Sequence, residues 1–319
     1  MISLKRLSLF TFSILFAAIC AAPYVVAQQP PLQIKPIRPS QKASVMQTIG
    51  VTDITITYSR PGVKGRTIFA EAPASMASRA KGEGTLDNQN ERQKGEPIVP
   101  WDHVWRAGAN EATMFVVTDD VLINGQPLKA GTYSFHTVPG KEEWTIIFNN
   151  DAGQWGSFQY DEKKDALRVK TKPQMVSDNQ ELLMYNFDPV TDNIATVNLR
   201  WEKLRVPFTV EVKDVKAAWR AHADGLIAAN PTNETLPLQV ANTYARDKKW
   251  DEALKFVDQS IKVKETFPNL SAKANILWGA GKKEEALTAA DVAIAKGKAD
   301  KANTAAFEKR VADMKAGKL

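Results

Sequence analysis

Ile54, Ile56 and Tyr58 alternate with Thr55, Thr57 and Ser59, a period of two that predicts a strand with one apolar and one hydroxyl-bearing face. Similar stretches recur at 113–118, 121–123, 131–138, 143–148, 166–171, 182–187, 194–201 and 204–212. Between them lie turn formers: Asn124-Gly125, Pro139-Gly140 and Asp151-Ala152-Gly153. Many short strands with such turns predict an antiparallel sandwich or barrel, and a sandwich is the preferred reading for residues 43–212. Residues 71–97 break the pattern with small and polar side chains, which predicts a mobile loop too poor in apolar surface to offset its ordering entropy.

Near Lys213 the pattern changes to a helical one. Ala241-Asn242 recurs as Ala274-Asn275, Ala253-Leu254 as Ala286-Leu287, Asp258 as Asp291 and Ile261 as Ile294, all at an offset of 33. That spacing predicts tetratricopeptide-like helical hairpins over 214–319, with a helix at 214–229 ahead of them and one at 303–315 closing the end. The fold class expected is therefore a mainly β N-terminal domain followed by an all-α C-terminal domain. Two readings of the repeats stay open, a groove for a protein or peptide partner and a structural cap on the sandwich.

Lys5 and Arg6 precede an apolar run ending at about Cys20, and Val25-Val26-Ala27 offers small residues before Gln28. Residues 1–27 thus read as a signal peptide, removed on export to the periplasm or beyond, which leaves no transmembrane segment. The run is too short for a spanning anchor. Cys20 raises lipid attachment as a lesser alternative, although Ile19 is bulky for such a signal. Because Cys20 is the only cysteine, the mature chain has no disulfide or thiolate. Residues 28–42 read as an extended tether, with four prolines between Gln28 and Pro39.

Charge changes this picture little. The formal net charge is +6, and residues 214–319 carry 18 Lys and Arg against 14 Asp and Glu, so the excess sits on helix faces and the β-rich part is near neutral. Solvated lysines explain that better than nucleic-acid binding.

The segment 51–66, ending Tyr58-Ser59-Arg60-Pro61-Gly62-Val63-Lys64-Gly65-Arg66, is followed by Val99-Pro100-Trp101 and then by Val104-Trp105-Arg106-Ala107-Gly108-Ala109-Asn110-Glu111. With Leu128-Lys129-Ala130-Gly131-Thr132-Tyr133, Glu143-Trp144-Thr145-Ile146-Ile147-Phe148 and Arg205-Val206-Pro207-Phe208, these motifs resemble a family of exported bacterial proteins, domain of unknown function 2911, over about residues 43–212. The resemblance implies a secreted domain with a helical tail and supplies no activity. The stretch 71–97 is where this chain departs from the family pattern.

Candidate chemistry comes from the residues. Ser59, Arg60, Lys64, Arg66, Arg106, Asn110 and Glu111 fall in two loops that flank 71–97. Guanidinium forks take carboxylate or phosphate bidentately, and Gly62, Gly65 and Gly108 let backbone amides approach an anion. The expected ligand is an acidic small molecule, peptide or glycan, with no cofactor and no metal. The competing account pairs Arg66 or Arg106 with Glu111 or Asp102 to pin the loops. His136 should face away from Tyr133 and Phe135 and be exposed. Trp101, Trp105, Trp144, Trp155 and Trp201 suit sugar stacking or core packing. No Gly-x-Ser-x-Gly is present, and Gly156-Ser157 has no base placed by pattern. An envelope hydrolase using carboxylates such as Asp102 and Glu111 is the rival reading.

Overall fold

The structure is a computed structural model and describes residues 37–79, 86–87 and 93–319. The expected signal peptide, most of the tether, and residues 80–85 and 88–92 of the expected mobile loop lie outside the described residues. The described part from Pro39 onward forms one unit.

Among the described residues, twelve strands and seven α-helices follow in chain order. The larger sheet has six antiparallel strands in the order β1, β2, β5, β8, β9, β10. These are β1 (Gln41–Ile49), β2 (Thr52–Arg60), β5 (Thr113–Val117), β8 (Gly131–Val138), β9 (Trp144–Asn149) and β10 (Asp165–Thr171). The smaller sheet runs β11 (Gln174–Val190), β12 (Ile194–Glu211), β6 (Val121–Ile123) and β7 (Gln126–Leu128). Two short parallel strands, β3 (Phe69–Ala70) and β4 (Val99–Pro100), bracket helix α1 (Ala74–Arg79).

The two sheets close on a shared core, and the expected sandwich is what forms. Ile54, Ile56 and Tyr58 point inward as the period of two requires. Phe208 of the smaller sheet lies 5.5 Å from Phe135 and 6.1 Å from Phe148 of the larger one, ring centroid to centroid. Asn124 and Gly125 both take positive φ in the two-residue turn between β6 and β7, as expected of that pair.

Three expectations about the strands need correction. The stretches 194–201 and 204–212 are one strand, β12: Glu202 takes φ 50° and absorbs the irregularity without turning the chain. The strand β1 reaches back to Gln41, inside the expected tether, because Ala43, Val45 and Ile49 extend the core along the sheet edge. The stretch 71–97 is not devoid of buried anchors, since Met76, Leu86 and Asp87 are all buried.

The C-terminal region begins with α2 (Val215–Ala229), whose N-cap Asp214 accepts from the Ala217 amide at 2.9 Å. Four helices follow as two hairpins: α3 (Thr235–Arg246) with α4 (Trp250–Val263), and α5 (Phe267–Gly279) with α6 (Lys283–Ala299). The equivalent alanines Ala241, Ala274, Ala253 and Ala286 are all fully buried, which lets the helices approach closely. The last helix, α7 (Ala305–Lys315), packs Val311 against Ala274 and Ala290. Val215 and Ala218 of α2 join the sandwich core, and His222 Nε2 lies 2.6 Å from Asp119 Oδ1. No helix among the described residues is long and apolar enough to cross a membrane.

Candidate functional site

Two loops about forty residues apart in sequence converge at one end of the sandwich. The first follows β2. Lys64 and Gly65 both have positive φ, and the Arg66 amide donates to Val63 O at 3.0 Å, so residues 63–66 form a tight turn. Its base is zipped to β11 by Val63 N to Glu181 O (2.9 Å) and Leu183 N to Pro61 O (3.0 Å). The turn holds Arg66 over its own backbone, with Nε donating to Val63 O at 3.2 Å and Nη2 to Gly62 O at 2.5 Å.

The second loop is Arg106 to Asn110. Ala107 and Asn110 sit in the left-handed region at φ 52° and 61°, a conformation that costs about 1–3 kcal/mol per residue and persists only where neighbours enforce it. The neighbours are visible. Ala107 O accepts from Tyr185 Oη at 2.8 Å and Thr113 Oγ1 at 2.9 Å, and Asn110 O accepts from the Gly156 amide at 3.1 Å. Gly108 presses on β2 and β5, where a Cβ would stand 3.2 Å from Ser59 O and 2.9 Å from Thr113 Oγ1.

Between the loops lies a cavity of about 220 Å³ walled by Arg66, Asp87, Trp105, Arg106, Asn110 and Trp155. Three of the expected site residues, Arg66, Arg106 and Asn110, therefore meet at one opening. The other four do not. Ser59 and Glu111 line a separate cavity of about 100 Å³, while Arg60 donates Nε to Leu183 O at 2.9 Å and the Lys64 amide donates to Glu181 Oε1 at 2.9 Å. Asp102 lies beside the Pro139-Gly140 turn, where its amide donates to Pro139 O, so it does not join Glu111 at the smaller cavity.

Arg106 has a different partner from the expected Glu111 or Asp102. Its side chain is 11% exposed and that of Asp87 is 4% exposed, and Arg106 Nε meets Asp87 Oδ2 at 2.8 Å. Nη2 donates to Asp87 O at 2.6 Å and Nη1 to Asn110 O at 2.7 Å. Asp87 Oδ2 also accepts from the Arg106 amide and from Ser157 Oγ, each at 2.9 Å. Gly156, at φ 64°, admits the guanidinium, because a Cβ there would stand 3.0 Å from Arg106 Cζ.

Beneath Asp87 runs a buried polar chain. Ser157 Oγ is 3.1 Å from His136 Nδ1, and His136 Nε2 is 3.1 Å from Ser134 Oγ, which Gln154 Nε2 approaches at 3.4 Å. His136 is fully buried, against the expectation of exposure. It does point away from the core face of β8, but the loop carrying Gln154, Ser157 and Tyr160 covers that face, and the Tyr160 ring stands 5.1 Å away. Burial pushes its pKa down to about 4, partly offset by Asp87 and Asp165. The imidazole is therefore neutral near pH 7.

Proton count fixes the direction of this chain. Asp87, ion-paired with Arg106, accepts the Ser157 proton, so Ser157 Oγ receives a hydrogen bond from His136 Nδ1–H. His136 Nε2 then accepts from Ser134. His136 is thus a donor to Ser157, not its base. Among the described residues no three or more His, Cys, Asp or Glu side chains group as metal ligands.

The site residues that sequence reasoning missed are Asp87, Ser134, Gln154 and the Ser157–His136 contact. Asp87 carries no local signal, because it lies in the most featureless stretch of the chain.

An antiparallel β-sandwich that carries a polar cavity at its loop end and a helical C-terminal region is the class of protein this structure defines. The family described as Protein of unknown function (DUF2911) matches residues 40–81 and 85–210, more than half of the chain, and the chain belongs to that family. The break in the match falls inside the stretch 71–97. No curated protein and no solved structure matches the chain.

Proposed function

We propose that this is an exported, non-catalytic binding protein that holds a small acidic molecule in the cavity between Arg66 and Arg106. The observation that carries this reading is the unequal treatment of the two arginines. Arg106 is neutralised by Asp87 and consumed by three acceptors, so it braces the cavity wall. Arg66 is exposed, forms no ion pair among the described residues and spends its donors on two backbone carbonyls, which supports Nη1 as the group that meets a ligand carboxylate or phosphate.

Trp105 and the half-exposed Trp155 add flat apolar walls suited to a short carbon skeleton or ring. A volume of about 220 Å³ is below the roughly 300–1,000 Å³ of drug-sized ligand sites, which favours an organic acid or a single acidic sugar over a glycan chain or a peptide. The test is thermal unfolding of residues 28–319 against organic acids, phosphates, acidic sugars and neutral sugars. Stabilisation by acidic compounds alone, lost in Arg66→Ala, supports the reading, and stabilisation by neutral sugars alone sinks it.

A second reading concerns the helices. Asn242 and Asn275, equivalent residues of the 33-residue repeat, line one groove of about 210 Å³ with Trp250 and Pro268. That supports a tetratricopeptide-like unit with a protein partner on 214–319. Co-purification of a partner lost on deleting 214–319 but retained in Arg66→Ala would favour it over the small-ligand site.

A further inference from the structure

Asp87 is shared between the cavity and the buried chain beneath it. Its carboxylate faces the cavity with Arg106, and on the inner side it takes the Ser157 proton, which in turn links to His136. While His136 is neutral, the buried set Arg106, Asp87 and His136 carries no net charge.

Adding a proton to His136 changes two things. Its Nε2 becomes a donor, so Ser134 Oγ must accept from both His136 and Gln154 and turn its own proton elsewhere. The buried set also becomes cationic, with Arg106 and the imidazolium sharing one carboxylate.

We propose that His136 is a further determinant of the cavity, making anion binding proton-coupled: an anion beside Arg66 draws a proton onto His136, and a protonated His136 tightens anion binding. This rests on the acidic-ligand reading and adds the electrostatic partner that compensates the ligand charge. Linkage requires the two effects to be equal and reciprocal.

Each of the other charged groups around His136 is engaged by a partner. Asp165 is held by Tyr160 Oη at 2.7 Å and by Arg168 Nε at 2.5 Å, Asp151 by Lys164 at 2.7 Å, and Asp87 by Arg106 at 2.8 Å. Tyr160 stays protonated, since burial and its bond to Asp165 push its hydroxyl up.

The experiment follows the imidazole nitrogens of His136 and the Nε of Arg66 and Arg106 by heteronuclear NMR between pH 3.5 and 7, with and without inorganic sulfate. Sulfate keeps its charge across that window. Expected are a Nδ1–H tautomer near pH 7, perturbation of Arg66 by sulfate, and a His136 pKa raised by half a unit or more. The same linkage makes sulfate affinity rise about twofold or more from pH 6.5 to 4. His136→Asn keeps a donor near the Nδ1 position but cannot titrate, and it should bind sulfate with an affinity nearly flat over that range.

Sulfate that perturbs Arg66 while leaving the His136 titration unmoved overturns the coupling and leaves the ligand site standing. A pH dependence that persists in His136→Asn assigns the proton to another group and overturns it equally. Absence of sulfate binding at every pH overturns both the coupling and the acidic-ligand reading.

Discussion

Asp87 and Arg106 form a buried ion pair, Oδ2 to Nε 2.8 Å, that joins the stretch 71–97 to the loop at the sandwich end. Asp87 is a buried polar anchor of that stretch, and its carboxylate gathers two donors from Arg106 and one from Ser157. The pair therefore fixes where the stretch docks, and with it one wall of the cavity. Several consequences can be measured.

Asp87→Asn should destabilise the protein by about 3–5 kcal/mol, the cost of leaving one member of a buried pair without its partner. Urea unfolding at pH 7 reads this directly. The double substitution Asp87→Asn with Arg106→Met should lose less than the single one, because the orphaned charge is gone. A double variant no more stable than Asp87→Asn would show that Arg106 carries no penalty once alone.

The pH dependence of stability has a definite sign. His136 has a pKa of about 4 in the folded chain and about 6.5 when unfolded, so the unfolded state binds the proton first. Its contribution is complete above pH 6.5 and is lost as pH falls from 6.5 towards 4. The loss amounts to about 3 kcal/mol. Unfolding free energies at half-unit pH steps should show this slope in the native protein and not in His136→Asn.

Arg66→Ala should leave stability within about 0.5 kcal/mol of the native value, since an exposed side chain away from buried networks contributes little. The same variant should abolish any shift of the unfolding midpoint by acidic ligands. For comparison, a native protein at one hundred times the dissociation constant gains about 2.7 kcal/mol. Differential scanning fluorimetry separates the two effects.

Gly156→Ala should cost about 1–3 kcal/mol, combining a left-handed φ of 64° with a Cβ placed 3.0 Å from the Arg106 guanidinium. Gly153→Ala, also left-handed at φ 85° but with nothing within 4 Å of its Cβ, isolates the backbone part of that cost. The excess of the first over the second, measured by urea unfolding, reports the steric contact with Arg106.

In the helical region, Asn269→Ala should cost about 2 kcal/mol. Asn269 is fully buried and closes a capping box with Thr266, and its amide reaches Ser260 Oγ at 3.0 Å and Lys264 O at 2.7 Å. Losing the cap removes about 1 kcal/mol, and orphaning buried acceptors adds a similar amount. Helical circular dichroism followed through thermal unfolding checks it.

Much of the architecture was legible in the chain because its signals are local. The alternation at Ile54, Ile56 and Tyr58 marks a strand because neighbouring side chains must point to opposite faces of a sheet. The Asn124-Gly125 turn follows from the positive φ that those residues tolerate. The 33-residue offset of Ala241 and Ala274 reports helices that need small contacts. Arg66, Arg106 and Asn110 stood out as candidates because guanidinium and amide groups beside glycines suit anion chemistry in any fold, and they line one cavity.

What the tertiary structure decided is which charges are spent. Arg66 and Arg106 look alike in sequence, yet one is neutralised by Asp87, whose pairing depends on a docking that no local pattern encodes. His136 lies on the outward face that alternation assigns to it, yet it is buried because a loop folds over that face. Alternation dictates direction along a strand but not what the rest of the chain lays on top. Local sterics wrote the strands, turns and helices into the sequence, whereas the balance of charge in the cavity arises from contacts between segments far apart along the chain, and only the folded molecule brings those together.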